Sequence, residues 1–309
     1  MTSFTDLRRE AITVKMLGVG EPGAGKTGSL AALINTGKYK FRVVDLDGHF
    51  IQSVAPYIKP EFDHLVEVFR YEDQMRLFGP NSANATTVGK PMQFIKVMNL
   101  LTNWKYTDPQ GREIDLGKPN EWGNDTVLVL DSLSALNRAA MNHTIFVEGR
   151  VESGPRRRDW GKAANIEEAI VEMLTSGFWN CHTITFAHTR LVGPDEPEDE
   201  GGKGGGDVTA AKREITMSRN EHIEWRECPA AVGKSMSRSI AQHWPILVVY
   251  ETEIKQMKVK RIMHFEPSKT MLTKVPALNV PQSLPSETGL VWLFDAITGA
   301  GNPKAVATT

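Results

Sequence analysis

The chain has 309 residues, enough for one large α/β domain or two modest ones, each with a core that needs no staples. Apolar residues make up 40% and charged residues 24%, ordinary globular usage, and the net charge of −1 excludes a general attraction to nucleic acid or anionic lipid. Cys181 and Cys228 show neither CxxC spacing nor a His ligand pattern and read as reduced thiols; the charged N-terminus lacks a signal-peptide run, and no stretch approaches the ~18 apolar residues of a membrane span, so a cytoplasmic protein is expected.

In chain order, residues 1–11 read as an arm and 12–19 as a buried strand running into a glycine loop, after which 28–34 have the Ala and Leu content of a helix. Residues 41–45 are a short apolar strand ending in acids, and 65–69 are another. Residues 79–89 read as a polar loop, followed by a helix over 91–104 with Pro91 at its first turn. The Gly, Pro, Asp and Asn of 106–124 predict an excursion without elements of its own.

Residues 127–130 are four apolar positions ending at Asp131, and Leu133, Leu136 and Ala140 continue at the spacing of a helix face. Asp159 fits the N-cap of a further helix, with Ile166, Ile170, Met173 and Leu174 inward and Glu167, Glu168 and Glu172 toward water. Residues 183–187 form another buried strand, which empties into a Gly- and acid-rich stretch, 193–211, expected to be a mobile loop. Residues 246–251 and 258–265 alternate as paired strands, and 289–297 make a helix in a C-terminal segment, 276–309. This alternation predicts an α/β fold: a mostly parallel twisted sheet with helices on both faces and an antiparallel edge, in a core spanning 12–275.

Gly20, Glu21, Pro22, Gly23, Ala24, Gly25, Lys26 and Thr27 fit G-x-x-x-x-G-K-[ST], between a strand and a helix opening at Gly28, which is the context the pattern requires. The chemistry behind that spacing is phosphate binding. Glycines let backbone N–H groups converge, the helix N-terminus adds partial positive charge, Lys26 adds a point charge, and Thr27 offers a hydroxyl to Mg²⁺. Such a loop needs a metal-side carboxylate at the end of a buried strand, and Asp131 supplies it. The next position, where many ATPases carry a glutamate for the attacking water, is Ser132, so that carboxylate must come from elsewhere. FRVVDLD offers Asp45 and Asp47.

GEPGAGKT, VVDLDGH, VLVLDSLSAL and TFAHTR, in that order, resemble the ATPase core of RecA-type recombinases, most of all the small phage-encoded members associated with single-strand annealing. The resemblance implies a RecA-like P-loop NTPase fold, with ATP and Mg²⁺ as cofactors and DNA-stimulated hydrolysis of ATP to ADP and phosphate. It further implies a ring or filament of copies acting on single-stranded DNA in recombination or annealing. Asp47 matches the family's catalytic glutamate, one methylene shorter, although Asp45 and Asp47 also fit a plain cap of the strand and turn. His188 matches the residue that senses the γ-phosphate; a polar residue at a strand end is the other reading.

In that family two loops hold the DNA. Arg150, Arg156, Arg157 and Arg158, with Trp160 to stack on a base, fall in the first, unless the arginines solvate a helix start and Trp160 is core. Lys203, Lys212 and Arg213 fall in or beside the second, 193–207, where Asp195, Glu196, Glu198, Asp199 and Glu200 repel phosphate. Lys269 or Lys274 matches a finger supplied in trans by a neighbouring copy, with surface lysines as the plainer account. A rival function is a nucleotide-gated assembly or partner-binding protein with slow turnover, favoured by the near-neutral charge and the acidic loop.

Overall fold

The computed structural model describes residues 12–73, 75–77, 85–87, 89–150, 155–192, 226–255, 258–267, 273–277 and 279–299. Its centre is an eight-stranded sheet in the order β14-β13-β12-β1-β9-β8-β2-β3. The strands are β1 (Lys15–Gly20), β2 (Lys40–Asp45), β3 (Val66–Arg70), β8 (Thr126–Asp131), β9 (His182–Ala187), β12 (Ile246–Lys255), β13 (Lys258–His264) and β14 (Ser283–Pro285). Neighbours from β12 across to β3 pair parallel, while β12 with β13 and β13 with β14 pair antiparallel. This is the α/β architecture expected from the sequence, a mostly parallel sheet with helices on both faces and an antiparallel edge.

All six residues of β1, β8 and β9 are buried, because helices cover both faces and leave no side for water. Alternation along the strands divides the core in two. Leu17, Val19, Leu128 and Leu130 face a cluster built with α3 (Gln93–Thr102), α4 (Leu133–Val147) and α5 (Arg157–Thr175). Met16, Val127, Val129 and Phe186 face the opposite cluster, built with α1 (Ser29–Ile34), α2 (Phe50–Val54) and α7 (Ser286–Thr298). No helix among the described residues is long and apolar enough to cross a membrane.

Four local expectations are corrected. The stretch 79–89 is not all loop, since β5 (Ala85–Thr87) pairs with β4 (Met75–Leu77). The excursion carries its own hairpin, β6 (Lys105–Thr107) with β7 (Glu113–Asp115). It folds back because Tyr106, Ile114, Leu116 and Trp122, scattered among turn residues, all pack on the core, with Trp122 5.4 Å from the fully buried Trp104. Asp159 is not the N-cap of α5 but its third residue, where its carboxylate accepts the N–H of the N-cap, Arg156, at 2.6 Å. Glu167 does not face water: it is 1% exposed, because α4 and the chain at Val232 cover that side of α5. Residues 1–11 and 193–211, with Lys203, and the separate Lys212, Arg213 and Lys269, lie outside the described residues.

Candidate functional site: a phosphate loop ringed by carboxylates

β1 delivers the loop at the carboxyl edge of the sheet. The approach is tight: a Cβ on Gly20 would stand 2.4 Å from the backbone oxygen of Tyr250 in β12, so only glycine fits there. Gly23 and Gly25 have φ of 82° and 92°, a region glycine adopts freely. Between them and α1 the Lys26 side chain folds back, its Nζ donating to the carbonyls of Gly20 at 2.7 Å and Glu21 at 2.9 Å. Burial lowers its pKa to about 8, against the attraction of Asp131, Asp47 and Glu21. The first residue of α1 is anchored in turn, Ser29 Oγ donating to the Lys26 carbonyl at 2.6 Å and meeting Tyr250 Oη at 3.1 Å.

The carboxylates gather at the ends of β2 and β8, which register Asp45 beside Asp131. Asp131 is 5% exposed and accepts from Thr27 Oγ1 at 2.8 Å. Its pKa is pushed up to about 6, chiefly by burial, with Asp47 and Asp45 adding repulsion and Thr27 and Lys26 opposing. Asp45 takes the cap reading: its oxygens accept from the amides of Gly48 at 2.9 Å and Phe50 at 3.2 Å, folding the turn into α2. Asp47 does not cap that turn. Its Oδ2 accepts from Ser132 Oγ at 2.6 Å and lies 3.7 Å from His188 Nε2. Burial pushes the Asp47 carboxyl up, but His188 and Ser132 outweigh it and hold it below the usual carboxylate value, with Arg138 of α4 helping.

His188 follows β9 and is fixed through its backbone. Its N–H donates to Ser134 Oγ at 3.0 Å, and its carbonyl accepts from Ala230 N at 2.7 Å. The Ala230 carbonyl accepts from Ser134 and Asn137, and Glu167 accepts from Val232 N at 2.8 Å. The chain therefore returns, through β11 (Arg226–Pro229) paired with β10 (Thr189–Val192), into a polar knot directly behind His188. Glu21 reaches the same neighbourhood, accepting from Thr189 Oγ1 at 2.5 Å.

Lys26, Thr27, Asp131, Asp47 and His188 are thus brought together around one loop. The DNA candidates are elsewhere and partly engaged. Arg150 pairs with the fully buried Asp159 at 2.5 Å and Arg158 with Glu148 at 2.7 Å, while Arg157 and Trp160 are exposed. Lys274 pairs through its backbone with Leu247, three residues before the Tyr250 that flanks the loop. Sequence reasoning missed Arg261 of β13, whose Nε donates to the Gly23 carbonyl at 3.1 Å, and the bond from Ser132 to Asp47. Both are contacts between distant segments, and no local pattern marks them.

A hydroxyl and a buried carboxylate 2.8 Å apart, beside an ammonium and a helix N-terminus, make a donor set for a polyphosphate with a hard divalent cation. Among the described residues no three His, Cys, Asp or Glu side chains gather as a metal site. A magnesium ion completed by phosphate oxygens and water requires no such cluster.

No family model and no curated protein matches the chain. Among solved structures it is similar to a KaiC-like protein from the archaeon Pyrococcus horikoshii, at 12% identity over 89% of this chain and 85% of that one, with a TM-score of 0.38. It is similar also to the RadB recombinase, at 12% identity over 86% and 89% with a TM-score of 0.37. A third is the flagellar accessory protein FlaH from Methanocaldococcus jannaschii, at 11% identity over 89% and 97% with a TM-score of 0.33. Likeness at this distance says nothing of activity, which must come from the site's own geometry.

Proposed function

We propose that the chain is a RecA-like ATPase that binds ATP with Mg²⁺ at residues 20–27 and uses hydrolysis in the recombination or annealing of single-stranded DNA. The observation that supports it best is the convergence of Lys26, the Thr27–Asp131 pair and Asp47 on one glycine loop. On this reading Lys26 exchanges the carbonyls of Gly20 and Glu21 for the β- and γ-phosphates. Thr27 and Asp131 would hold the magnesium ion, which neutralises charge on the phosphates when bound. Asp47, kept ionised by Ser132 and His188, orients the attacking water and receives its proton. His188 senses the γ-phosphate and passes its position to Ser134 and Ala230.

ATP hydrolysis measured with and without single-stranded DNA, for the wild type and Lys26→Ala, tests this. Lys26→Ala should lose turnover by roughly 100-fold or more, and DNA should raise the wild-type rate. No affinity for ATP in the presence of Mg²⁺ would sink the whole reading. A rate indifferent to DNA at low salt would remove its DNA half alone.

The pairing of Arg150 and Arg158 with Asp159 and Glu148 favours a second reading, nucleotide-gated assembly or partner binding with slow turnover. Particle size measured with and without ATP in the absence of DNA separates the two, since assembly that needs nucleotide but no DNA supports the second.

A further inference from the structure

We propose that Arg261 is a positioning residue that straps the phosphate loop from the β12–β13 hairpin and sets its nucleotide affinity, an inference that rests on the nucleotide reading above. The register puts it there. Gly20, the last residue of β1, aligns with Tyr250 of β12, and two residues further along β12 Thr252 aligns with Arg261. Arg261 therefore stands past the end of β1, over the loop that β1 feeds.

Two contacts fix the relation. The Arg261 Nε donates to the Gly23 carbonyl at 3.1 Å. Its aliphatic stem lies on Gly25, where an added Cβ would come 2.7 Å from Arg261 Cδ and 3.2 Å from its Cβ. The same Cβ would meet Ser286 Oγ of α7 at 3.1 Å, so the second half of the loop is walled by the sheet edge and α7 together.

The consequence follows from peptide geometry. A trans peptide is planar, with its C=O and N–H pointing in opposite directions. Holding the Gly23 oxygen on the guanidinium therefore fixes the plane of the Gly23–Ala24 peptide, whose N–H donates to the Glu21 carbonyl at 3.2 Å on the other side. Gly23, with no side chain and a φ of 82°, has little of its own to keep that peptide from flipping. A loop whose peptides are already held in one orientation loses less entropy on meeting phosphates.

Arg261 is exposed, so its replacement leaves the core intact. Arg261→Met keeps the stem and removes the donor, while Arg261→Lys keeps a donor. In nucleotide-free protein, amide hydrogen exchange at Ala24 should accelerate about three- to tenfold in Arg261→Met, the range of one ordinary hydrogen bond. ATP affinity with Mg²⁺ should weaken by a similar factor, with the melting temperature lowered by no more than a few degrees. Arg261→Lys should restore both readouts toward the wild type. The strap is wrong if Arg261→Met exchanges and binds like the wild type, or if lysine restores neither. Should the wild type itself fail to bind ATP, the nucleotide reading falls, and unchanged loop exchange in Arg261→Met would separately remove the strap.

Discussion

Ser132 directly follows Asp131, and its hydroxyl holds the Asp47 carboxylate that arrives just after β2. It has a second task as the N-cap of α4, accepting from Ala135 N at 3.3 Å. Ser132→Ala should therefore have two separable effects. Loss of the cap lowers stability by about 1 kcal/mol, seen in a denaturant titration. Loss of the bond to Asp47 lets burial raise that carboxyl, so the acid limb of the pH–rate profile moves to higher pH. Turnover near neutrality should fall about fivefold, the equivalent of one hydrogen bond. An acid limb that stays in place would show that Ser132 does not tune Asp47.

At the scale of elements, Glu167 ties α5 to the chain at Val232, which leads into α6 (Gly233–Ser239). Burial pushes its carboxyl up to about 7, against the lowering effects of the Val232 amide and Asn137. A carboxyl whose folded pKa lies above its unfolded value binds more protons when folded, so the stability it contributes is present at low pH and lost as pH rises toward 7. Glutamine keeps the acceptor for Val232 and carries no such proton. Glu167→Gln should thus match the wild type below about pH 4.5 and exceed it above pH 7 by on the order of 2–3 kcal/mol. Urea midpoints at the two pH values check it, and an advantage that does not grow with pH would refute it. The periodicity of α5 marked Glu167 as solvent-facing because a helix pattern assumes one buried face, whereas α5 is covered on two sides.

Across the whole molecule, the parallel part of the sheet is joined to its antiparallel edge by the pairing of β1 with β12, strands some 230 residues apart that meet at Gly20 and Tyr250. Gly20→Ala would drive a methyl against the Tyr250 carbonyl, and because that atom is backbone, one strand must move. Loss of about 1–3 kcal/mol is expected, read as a lower denaturation midpoint. A full-strength Gly20→Ala fold would mean that the two strands part without cost. The sequence by itself marked the glycine loop, the succession of buried strands and Asp131 at the end of one of them, because these depend on spacing within short segments and on which strands are buried on both faces. It marked Asp47 and His188 as well, through a resemblance, but not the bond from Ser132 that separates Asp47 from its neighbour Asp45. Tertiary structure alone decided that bond, the burial of Glu167, the folding back of the hairpin at Trp104 and the reach of Arg261 to Gly23. Each depends on where a distant segment lies in space, and the local preferences of a chain carry no information about such distances.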